Sequence, residues 1–179
     1  MKKIILLLIV MIVSFNAYLS AEENKNIKRI SEGDANAKIT IIAYESLTCG
    51  HCADFHANVY PNLKKDFIEK GLVKIQFRHF PLDIAAFNAS KISQCNNHGK
   101  SDIMHILYTG QKKWAQGNTP EEATRYLKKF LTDEGVEIDF EKCLADKAIE
   151  DYVLNDRIEG VKKYKVNATP TIIINDKKF

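Results

Sequence analysis

Three apolar runs of strand length are spaced far apart along the chain. Residues 38–44, 72–80 and 167–175 are rich in β-branched and aromatic side chains, and the first run is apolar on both faces. Such a run predicts a strand that is buried within a sheet. A short edge strand is also expected at 27–30, before a turn at 33–36.

The stretches between these strands have helical periodicity. Residues 49–70 repeat apolar side chains at intervals of three and four, which predicts a helix that is kinked at Pro61 and ends at Gly71. Four more helical segments are expected between the second and third strands. Their predicted bounds are 83–97, 101–115, 120–133 and 139–165, with a break in the last one near Lys147.

Taken in order, these elements are a strand, a helix, a strand, a block of helices and a final strand that rejoins the sheet. This order predicts an α/β fold in which a helical insertion separates two parts of one sheet-containing domain. We assign residues 22–81 and 166–179 to that domain and 82–165 to the insertion. The roughly 158 residues that follow the N-terminal segment are enough for one domain with an insertion.

The first twenty-one residues have the pattern of a secretory signal. Lysines at positions 2 and 3 precede ten apolar residues, 4–13, and polar residues follow too early for a membrane span of about 20 residues. We expect cleavage after Ala21, although Leu19 is larger than the residue usual at its position. An uncleaved N-terminal anchor is the alternative, and in both cases the body of the protein is expected to be exported.

The charge balance argues against a nucleic-acid partner. The chain has 26 Lys and Arg against 23 Asp and Glu, a formal net charge of +3, and removal of residues 1–21 leaves 24 against 23. The lysine doublets are therefore expected to lie on solvent-exposed faces, where nearby acidic residues balance their charge. No coherent basic patch is evident in the sequence.

A Cys-Gly-His-Cys motif at 49–52 directly follows the first strand and begins the predicted helix. The unpaired N–H groups and the dipole at a helix N-terminus favour an anion, so Cys49 is the expected nucleophilic thiolate. Cys52 lies one turn further and is expected to face inward as the resolving thiol, while His51 helps to stabilise the thiolate. The motif therefore favours thiol–disulfide exchange without a metal or other cofactor.

Two other interpretations of the motif stay open. One is a purely structural disulfide, and the other is half of a zinc site completed from His51, His56, Cys95 and Cys143. Zinc sites usually have a second pair of closely spaced ligands, whereas Cys95 and Cys143 are far apart and within predicted helices. Both interpretations are less favoured than a redox-active pair.

Cys95 and Cys143 form a second pair of interest. An even number of cysteines in an oxidising compartment invites pairing, and a bridge between them would stabilise the fold by about 4 kcal/mol in the chain-entropy model. The alternative is two buried free thiols that behave as small apolar side chains.

Glu45 ends the first strand four positions before Cys49. A partly buried carboxylate is suited to accept a proton from Cys52, and a solvated strand end is the equal alternative. His56 is expected on the helix surface, and His105, within the insertion, has no evident partners in the sequence.

Three segments together resemble the DsbA-type thiol–disulfide oxidoreductases. They are Ser-Leu-Thr-Cys-Gly-His-Cys-Ala at 46–53, Arg-His-Phe-Pro-Leu at 78–82, and the stretch from Gly160 to the Ala-Thr-Pro-Thr motif at 168–171. The resemblance begins near residue 30 and continues to the end of the chain. It implies a thioredoxin-like fold with a helical insertion.

The resemblance also implies site residues and partners. Pro170 would be cis beside the cysteines, with Thr169 pairing to substrate, whereas its alternative is an ordinary strand-entry proline. A second disulfide within the insertion favours a structural Cys95–Cys143 bridge. The implied partners are reduced or unfolded polypeptides and a DsbB-type membrane oxidase, and the implied location is the periplasm.

Three departures from this family qualify the expectation. Many DsbA enzymes have Pro-His between the cysteines, so Gly-His predicts a milder oxidant, with isomerase or reductase activity as the alternative. Similar proteins often have their acid at the position of Ala43 instead of Glu45. The sequence stops at Phe179, before the usual remainder of an edge strand and a closing helix, so a C-terminally truncated fold is expected. A zinc- or peptide-binding module is the non-enzymatic alternative.

Overall fold

A five-stranded mixed sheet is the centre of the computed structural model, which describes residues 27–95 and 98–179. The predicted signal at 1–21 and its cleavage after Ala21 lie outside the described residues. The strands are β1 (Ser31–Glu32), β2 (Ile39–Glu45), β3 (Val73–His79), β4 (Thr171–Ile174) and β5 (Lys177–Lys178).

The strands are arranged in the order β1-β3-β2-β4-β5. β2 and β3 are parallel, with Ile39 opposite Val73, and β4 runs antiparallel to β2, with Tyr44 opposite Thr171. β1 and β5 pair antiparallel at the two edges. The buried apolar strand predicted first, β2, therefore lies at the centre of the sheet.

The helix that follows β2, α1, consists of four consecutive segments. They are the α-helical Gly50–Asp54 and Tyr60–Leu63 and the π-helical Phe55–Val59 and Lys64–Ile68. The disruption expected at Pro61 thus takes the form of a π-helical turn on each side of the proline-containing segment. The later helices are α2 (Ile84–Gln94), α3 (Asp102–Thr109), α4 (Gln111–Trp114), α5 (Pro120–Asp133), α6 (Phe140–Ala145) and α7 (Lys147–Tyr164).

Two predicted boundaries are corrected by packing. The single helix expected at 101–115 is divided at Gly110, where an added Cβ would lie 1.9 Å from the Phe130 ring. The edge strand expected at 27–30 is found at Ser31–Glu32, because these are the residues that pair with β3. The predicted break near Lys147 is confirmed at Asp146, whose carboxylate caps α7.

Two apolar clusters cover the sheet. The larger one joins β2 and β3 to α1 and the helices of the insertion, and the smaller one consists of Tyr44, Phe80, Tyr164, Val166 and Ile173. Gly160 allows α7 to reach the smaller cluster, because a Cβ at this position would lie 2.7 Å from the Tyr44 ring. The last helix of the insertion therefore packs directly on the sheet. Within the described residues, no helix is both long and apolar enough to cross a membrane.

A buried carboxylate also joins α7 to the sheet. Asp156 Oδ1 accepts hydrogen bonds from Arg29 at 2.8 Å and Arg78 at 3.1 Å, and Oδ2 accepts one from the His79 backbone at 3.1 Å. Its side chain is 3% exposed. His79 is itself buried and bonded to Gln94, consistent with the packing role that its position at a strand end suggests.

A disulfide joins Cys95, at the C-terminal cap of α2, to Cys143 in α6. Both cysteines are buried, and 48 positions separate them in the sequence. The bridge lies wholly within the helical insertion.

Substitution of Asp156 by alanine is expected to lower the free energy of unfolding by about 3–5 kcal/mol, because Arg78 would keep a buried charge without its main partner. Urea denaturation followed by fluorescence of the buried Trp114 measures the change. Glu159→Gln is the matched control: it removes a 43%-exposed partner of the same arginine and should cost less than about 1 kcal/mol. Equal losses in the two variants would contradict the role given to Asp156.

The double substitution Cys95→Ala/Cys143→Ala is expected to cost about 4 kcal/mol, since it restores the loop entropy of the unfolded chain. The measurement is the urea midpoint of the double variant against the wild type. When both proteins also carry Cys49→Ser/Cys52→Ser, a reductant should lower the midpoint of the protein that has the bridge and leave that of the protein without it unchanged. A loss below about 1 kcal/mol would show that the bridge contributes little to stability.

Candidate active site

Cys49 occupies the N-cap position of α1. Its backbone is extended, at φ −78° and ψ 120°, and its sulfur accepts a hydrogen bond from the Cys52 N–H at 3.4 Å. A side chain at this position meets the unpaired N–H groups of the first helical turn. The site that the sequence predicted for a thiolate is therefore formed, and Cys49 and Cys52 are both free thiols here.

Residues far away in the sequence complete the surroundings of Cys49. Its thiol donates to the Thr169 carbonyl oxygen at 3.3 Å, and the Thr169–Pro170 peptide bond is cis. β4 begins immediately afterwards, at Thr171, and pairs with β2. The strand pairing thus brings Thr169 and Pro170 against the helix N-terminus.

Cys52 is fully buried one turn into the helix. Burial raises the pKa of its thiol well above the ordinary value, and the nearby Glu45 carboxylate raises it further. The two cysteines therefore differ in environment: Cys49 is half-buried at a helix end, and Cys52 is held as a neutral thiol in the core.

His51 lies in the first turn of α1 with its side chain exposed. Its side chain makes no hydrogen bond within the described part of the chain, and its predicted role in stabilising the thiolate stays a prediction. The groups that contact the Cys49 sulfur are instead a backbone N–H and a backbone carbonyl.

Gln111 is a site residue that the sequence analysis missed. Its buried amide nitrogen donates to the carbonyl oxygens of Leu47 at 2.8 Å and Cys49 at 3.0 Å. One side chain from α4 therefore holds the loop that leads into α1. A buried amide must satisfy its hydrogen bonds, but no sequence pattern indicates which loop it contacts.

A second set of hydrogen bonds connects this loop to the start of the insertion. Thr48 donates to Asp83 Oδ2 at 2.7 Å, and Asp83 Oδ1 caps α2 by accepting from the Ala86 N–H at 2.7 Å. The Ser46 hydroxyl accepts from the Leu82 N–H at 3.3 Å. The loop that carries Cys49 is thus fixed from two sides by residues of the insertion.

Glu45 is buried, so of the two alternatives for this residue the solvated strand end is wrong. Its Oε2 lies 2.8 Å from His56 Nε2, and its Oε1 is buried without a well-aligned hydrogen-bond partner. The proposed acceptance of a proton from Cys52 stays a prediction.

The expectations for His56 and His105 are corrected by the packing of α1 against α3. His56 is buried rather than on the helix surface, because the π-helical turn at Phe55–Val59 lies under α3. Its Nδ1 lies 3.2 Å from His105 Nδ1, and His105 Nε2 lies 2.9 Å from Glu32 Oε1. These contacts join residues that are 49 and 73 positions apart, which no local motif reveals.

No group of three or more His, Cys, Asp and Glu side chains in residues 27–95 and 98–179 has an arrangement able to hold a metal ion. Cys95 and Cys143 are joined to each other, so neither is available to complete a site with the Cys49–Cys52 pair.

Comparison with known proteins identifies the family. The family model described as "Thioredoxin" matches residues 25–179, and the chain belongs to this family. Within it, the chain is one of the DsbA-type thiol–disulfide oxidoreductases. It is 31% identical to Wolbachia pipientis alpha-DsbA1, with a TM-score of 0.72 over 84% of this chain and 78% of that one.

More distant relatives agree with this assignment. The chain is 27% identical over 150 residues to a Rickettsia bellii protein named "Putative protein-disulfide oxidoreductase", covering 80% of this chain and 55% of that one. It is 24% identical over 154 residues to "Disulfide bond formation protein D" of Bacillus subtilis, covering 81% and 67%. The chain spans about half the length of the Rickettsia relatives that it matches.

The raised pKa of Cys52 predicts a loss of stability at high pH. The native state keeps this proton while the unfolded state releases it above a pKa of about 8.5, so the stabilisation is complete below that pH and lost above it. We expect the stability of Cys49→Ser to fall relative to Cys49→Ser/Cys52→Ala by about 1.4 kcal/mol per pH unit above about pH 9.

Urea denaturation of the two variants from pH 7 to 10.5 measures this difference and cancels the titration of every other group. Parallel stability profiles across that range would show that the Cys52 thiol is not held neutral by the fold.

Proposed function

We propose that this protein is an exported oxidoreductase that transfers the Cys49–Cys52 disulfide to reduced polypeptides. The observation that carries the proposal is the placement of Cys49 at the helix N-cap, 3.3 Å from the Thr169 carbonyl, with Cys52 buried one turn away. This arrangement exposes one sulfur to a substrate and protects the other. Family membership supports the same type of reaction.

The reaction begins from the disulfide form. A substrate thiolate attacks Cys49 Sγ, the Cys49–Cys52 bond breaks, and the Cys52 sulfur leaves and takes up a proton. A second substrate thiolate then attacks the substrate sulfur of the mixed disulfide and displaces Cys49 as a thiolate. The substrate loses two electrons in forming its disulfide, and the enzyme is left as a dithiol.

The helix N-terminus favours transfer of the disulfide from the enzyme to the substrate. Every interaction that stabilises the Cys49 thiolate also stabilises the reduced enzyme and makes the disulfide a stronger oxidant. The buried Cys52 does not oppose this, because its neutral thiol occurs only in the reduced enzyme. Gly-His between the cysteines is the feature that supports an oxidant of moderate strength.

Substrate recognition is proposed to use the backbone around Thr169 and Pro170. These residues are half-buried beside the Cys49 sulfur and come just before β4. An extended chain that pairs with main-chain groups here would present its own cysteine to Cys49, with little demand on sequence. Reduced or unfolded polypeptides are therefore the proposed substrates.

The proposed location is an oxidising compartment, the periplasm in a bacterium with two membranes. The apolar segment at the N-terminus has the pattern of an export signal, and the Cys95–Cys143 bridge is of a kind that persists in such compartments. Because each turnover leaves a dithiol, an oxidant must restore the disulfide. We propose a membrane oxidase of the DsbB type.

Redox equilibrium against glutathione buffers is the experiment that tests this function, with thiol trapping and intact-mass readout. We expect Cys49–Cys52 to be reduced while Cys95–Cys143 stays closed, at a potential well above the roughly −300 mV of structural disulfides. A peptide with two thiols should be oxidised by the wild type and not by Cys49→Ser. Cys52→Ser is the matched variant: it has no disulfide to transfer, and its Cys49 thiolate should attack glutathione disulfide, release one glutathione and accumulate as the mixed disulfide with the other.

Other outcomes would replace the proposal. A Cys49–Cys52 pair as hard to reduce as a structural disulfide would indicate a reductase. Rearrangement of scrambled disulfides faster than oxidation of dithiols would indicate an isomerase. Stoichiometric zinc, or peptide binding that is unchanged in Cys49→Ser, would indicate a binding module.

A further inference from the structure

A row of four side chains leads from the surroundings of Cys52 to the protein surface. Glu45 Oε2 contacts His56 Nε2 at 2.8 Å, His56 Nδ1 contacts His105 Nδ1 at 3.2 Å, and His105 Nε2 contacts Glu32 Oε1 at 2.9 Å. We call these four residues the carboxylate–histidine row. It is continuous, with every link within hydrogen-bond distance.

The inner end of the row lies beside the buried thiol. Cys52 and His56 are four residues apart on α1 and both are buried, so they lie on one face of the helix. The Glu45 carboxylate that contacts His56 also acts electrostatically on Cys52 and raises its pKa.

The outer end of the row reaches solvent. Side-chain exposure is 3% at Glu45, 5% at His56, 25% at His105 and 14% at Glu32. Lys64, 42% exposed, contacts Glu32 Oε2 at 3.1 Å. The row therefore leads from the buried side chains near Cys52 to a partly solvated ion pair.

Aromatic rings hold the two imidazoles in place. Tyr108 stacks on His56 with ring centroids 4.0 Å apart, and Tyr60 stacks on His105 at 4.6 Å. The Tyr60 hydroxyl also donates to Glu32 Oε1 at 2.6 Å. These contacts fix the orientation of the two imidazoles along the row, beside a cavity that the same four rings line.

The charged and titratable groups around the row fix the state of its outer end. Burial alone would raise the pKa of Glu32, but hydrogen bonds from the groups around it hold that pKa well below the usual range. The donors are His105, Ser101, Tyr60 and Lys64, and Asp102 and Glu69 are the further acids close to Tyr60. Glu32 is thus an anion, and His105 Nε2 must carry a hydrogen toward it.

This constraint leaves two arrangements of protons that differ by one step along the row. The facing Nδ1 atoms share one hydrogen, because two N–H groups would oppose each other. Either Glu45 is protonated and both imidazoles are neutral, or Glu45 is ionised and the imidazole pair holds the extra proton. Transfer of one hydrogen from Glu45 Oε2 to His56 Nε2 converts the first arrangement into the second.

Thiol–disulfide exchange requires a proton at Cys52. When the Cys49–Cys52 bond opens, the Cys52 sulfur must gain a proton in a site without direct access to solvent. When the bond closes, Cys52 must lose that proton before it attacks Cys49 Sγ. One proton therefore enters or leaves the core in each half-reaction.

We propose that Glu45, His56, His105 and Glu32 form a proton relay that carries the Cys52 proton between the buried thiol and solvent. The relay rests on the proposed function in one respect, since exchange at the Cys49–Cys52 pair is the reaction that it serves. In bond closure, Cys52 gives its proton to Glu45, the imidazole pair passes a proton outward, and water beyond His105 and Glu32 accepts one. Opening the bond reverses each transfer.

The reaction of the reduced protein with 5,5′-dithiobis(2-nitrobenzoate) separates the two cysteines. The Cys49 thiolate attacks the reagent and releases one thionitrobenzoate, and Cys52 then attacks Cys49 Sγ and releases the second. We expect His105→Gln to slow the second release by roughly a hundredfold and to leave the first unchanged, the lower end of the effect expected for loss of an acid–base group. Glu32→Gln should slow the second release in the same direction.

His98→Asn is the matched control. His98 is exposed, and its left-handed backbone, at φ 53°, is one that asparagine tolerates. Both releases should proceed at wild-type rates in this variant. An unchanged second release in both His105→Gln and Glu32→Gln would overturn the relay.

Chemical rescue separates proton transfer from a structural effect. His56 and His105 line a cavity of about 830 Å³ with Tyr60, Lys64 and Tyr108, which is large enough for free imidazole. Added imidazole should restore the second release in His105→Gln and leave the wild type unchanged. A slow variant that imidazole does not restore would show that His105 only supports packing.

An independent measurement in the wild type covers the case in which the thiols react slowly. Spectra of ¹⁵N-histidine protein should show coupling between His56 and His105 through the shared hydrogen, and both signals should move when the Cys49–Cys52 disulfide closes. Signals that stay fixed on closure would overturn the relay. The oxidase function alone would be overturned if the protein failed to oxidise a dithiol peptide while both thionitrobenzoate releases occurred and the second still depended on His105.

Discussion

The antiparallel pairing of β2 with β4 is the interaction on which the site depends. β2 ends where α1 begins with Cys49, and β4 begins one residue after Pro170, so the register that sets Tyr44 opposite Thr171 also sets the Thr169 carbonyl against the Cys49 sulfur. A shift of one residue would turn every β4 side chain to the other face of the sheet and separate the two halves of the site. The burial of Ile173 against Tyr44 and Tyr164 prevents such a shift.

The helical insertion is part of the site as well as part of the scaffold. α4 supplies Gln111, which holds the carbonyls of Leu47 and Cys49, and α3 supplies His105, which continues the row from Glu45. Asp83, at the start of the insertion, accepts a hydrogen bond from the Thr48 hydroxyl. The sheet therefore brings the cysteines and Pro170 together, and the insertion fixes the loop before Cys49 and surrounds the buried thiol.

The sequence allowed the reactive positions to be predicted because they depend on local chemistry. Cys49 directly precedes the helix that the sequence predicts, which puts it at the N-cap, and the apolar runs identified all three central strands. His56 and His105 could not be paired in advance, because their contact depends on how α1 packs against α3, and the π-helical turns that set the direction of His56 leave no simple periodicity. The division at Gly110 depends in the same way on the position of the Phe130 ring.

Burial of so many polar groups beside the apolar core costs stability and indicates that the site, rather than the fold, requires them. Glu45 leaves one carboxylate oxygen buried without a well-aligned partner, a cost of about 1–3 kcal/mol that an apolar residue at the end of β2 would avoid. Residues that lower the stability of their own surroundings are expected at functional positions. Because Glu45, His56 and His105 are linked to one another by hydrogen bonds and the Glu45 carboxylate acts on the Cys52 thiol, their arrangement is explained by proton movement toward Cys52 better than by packing.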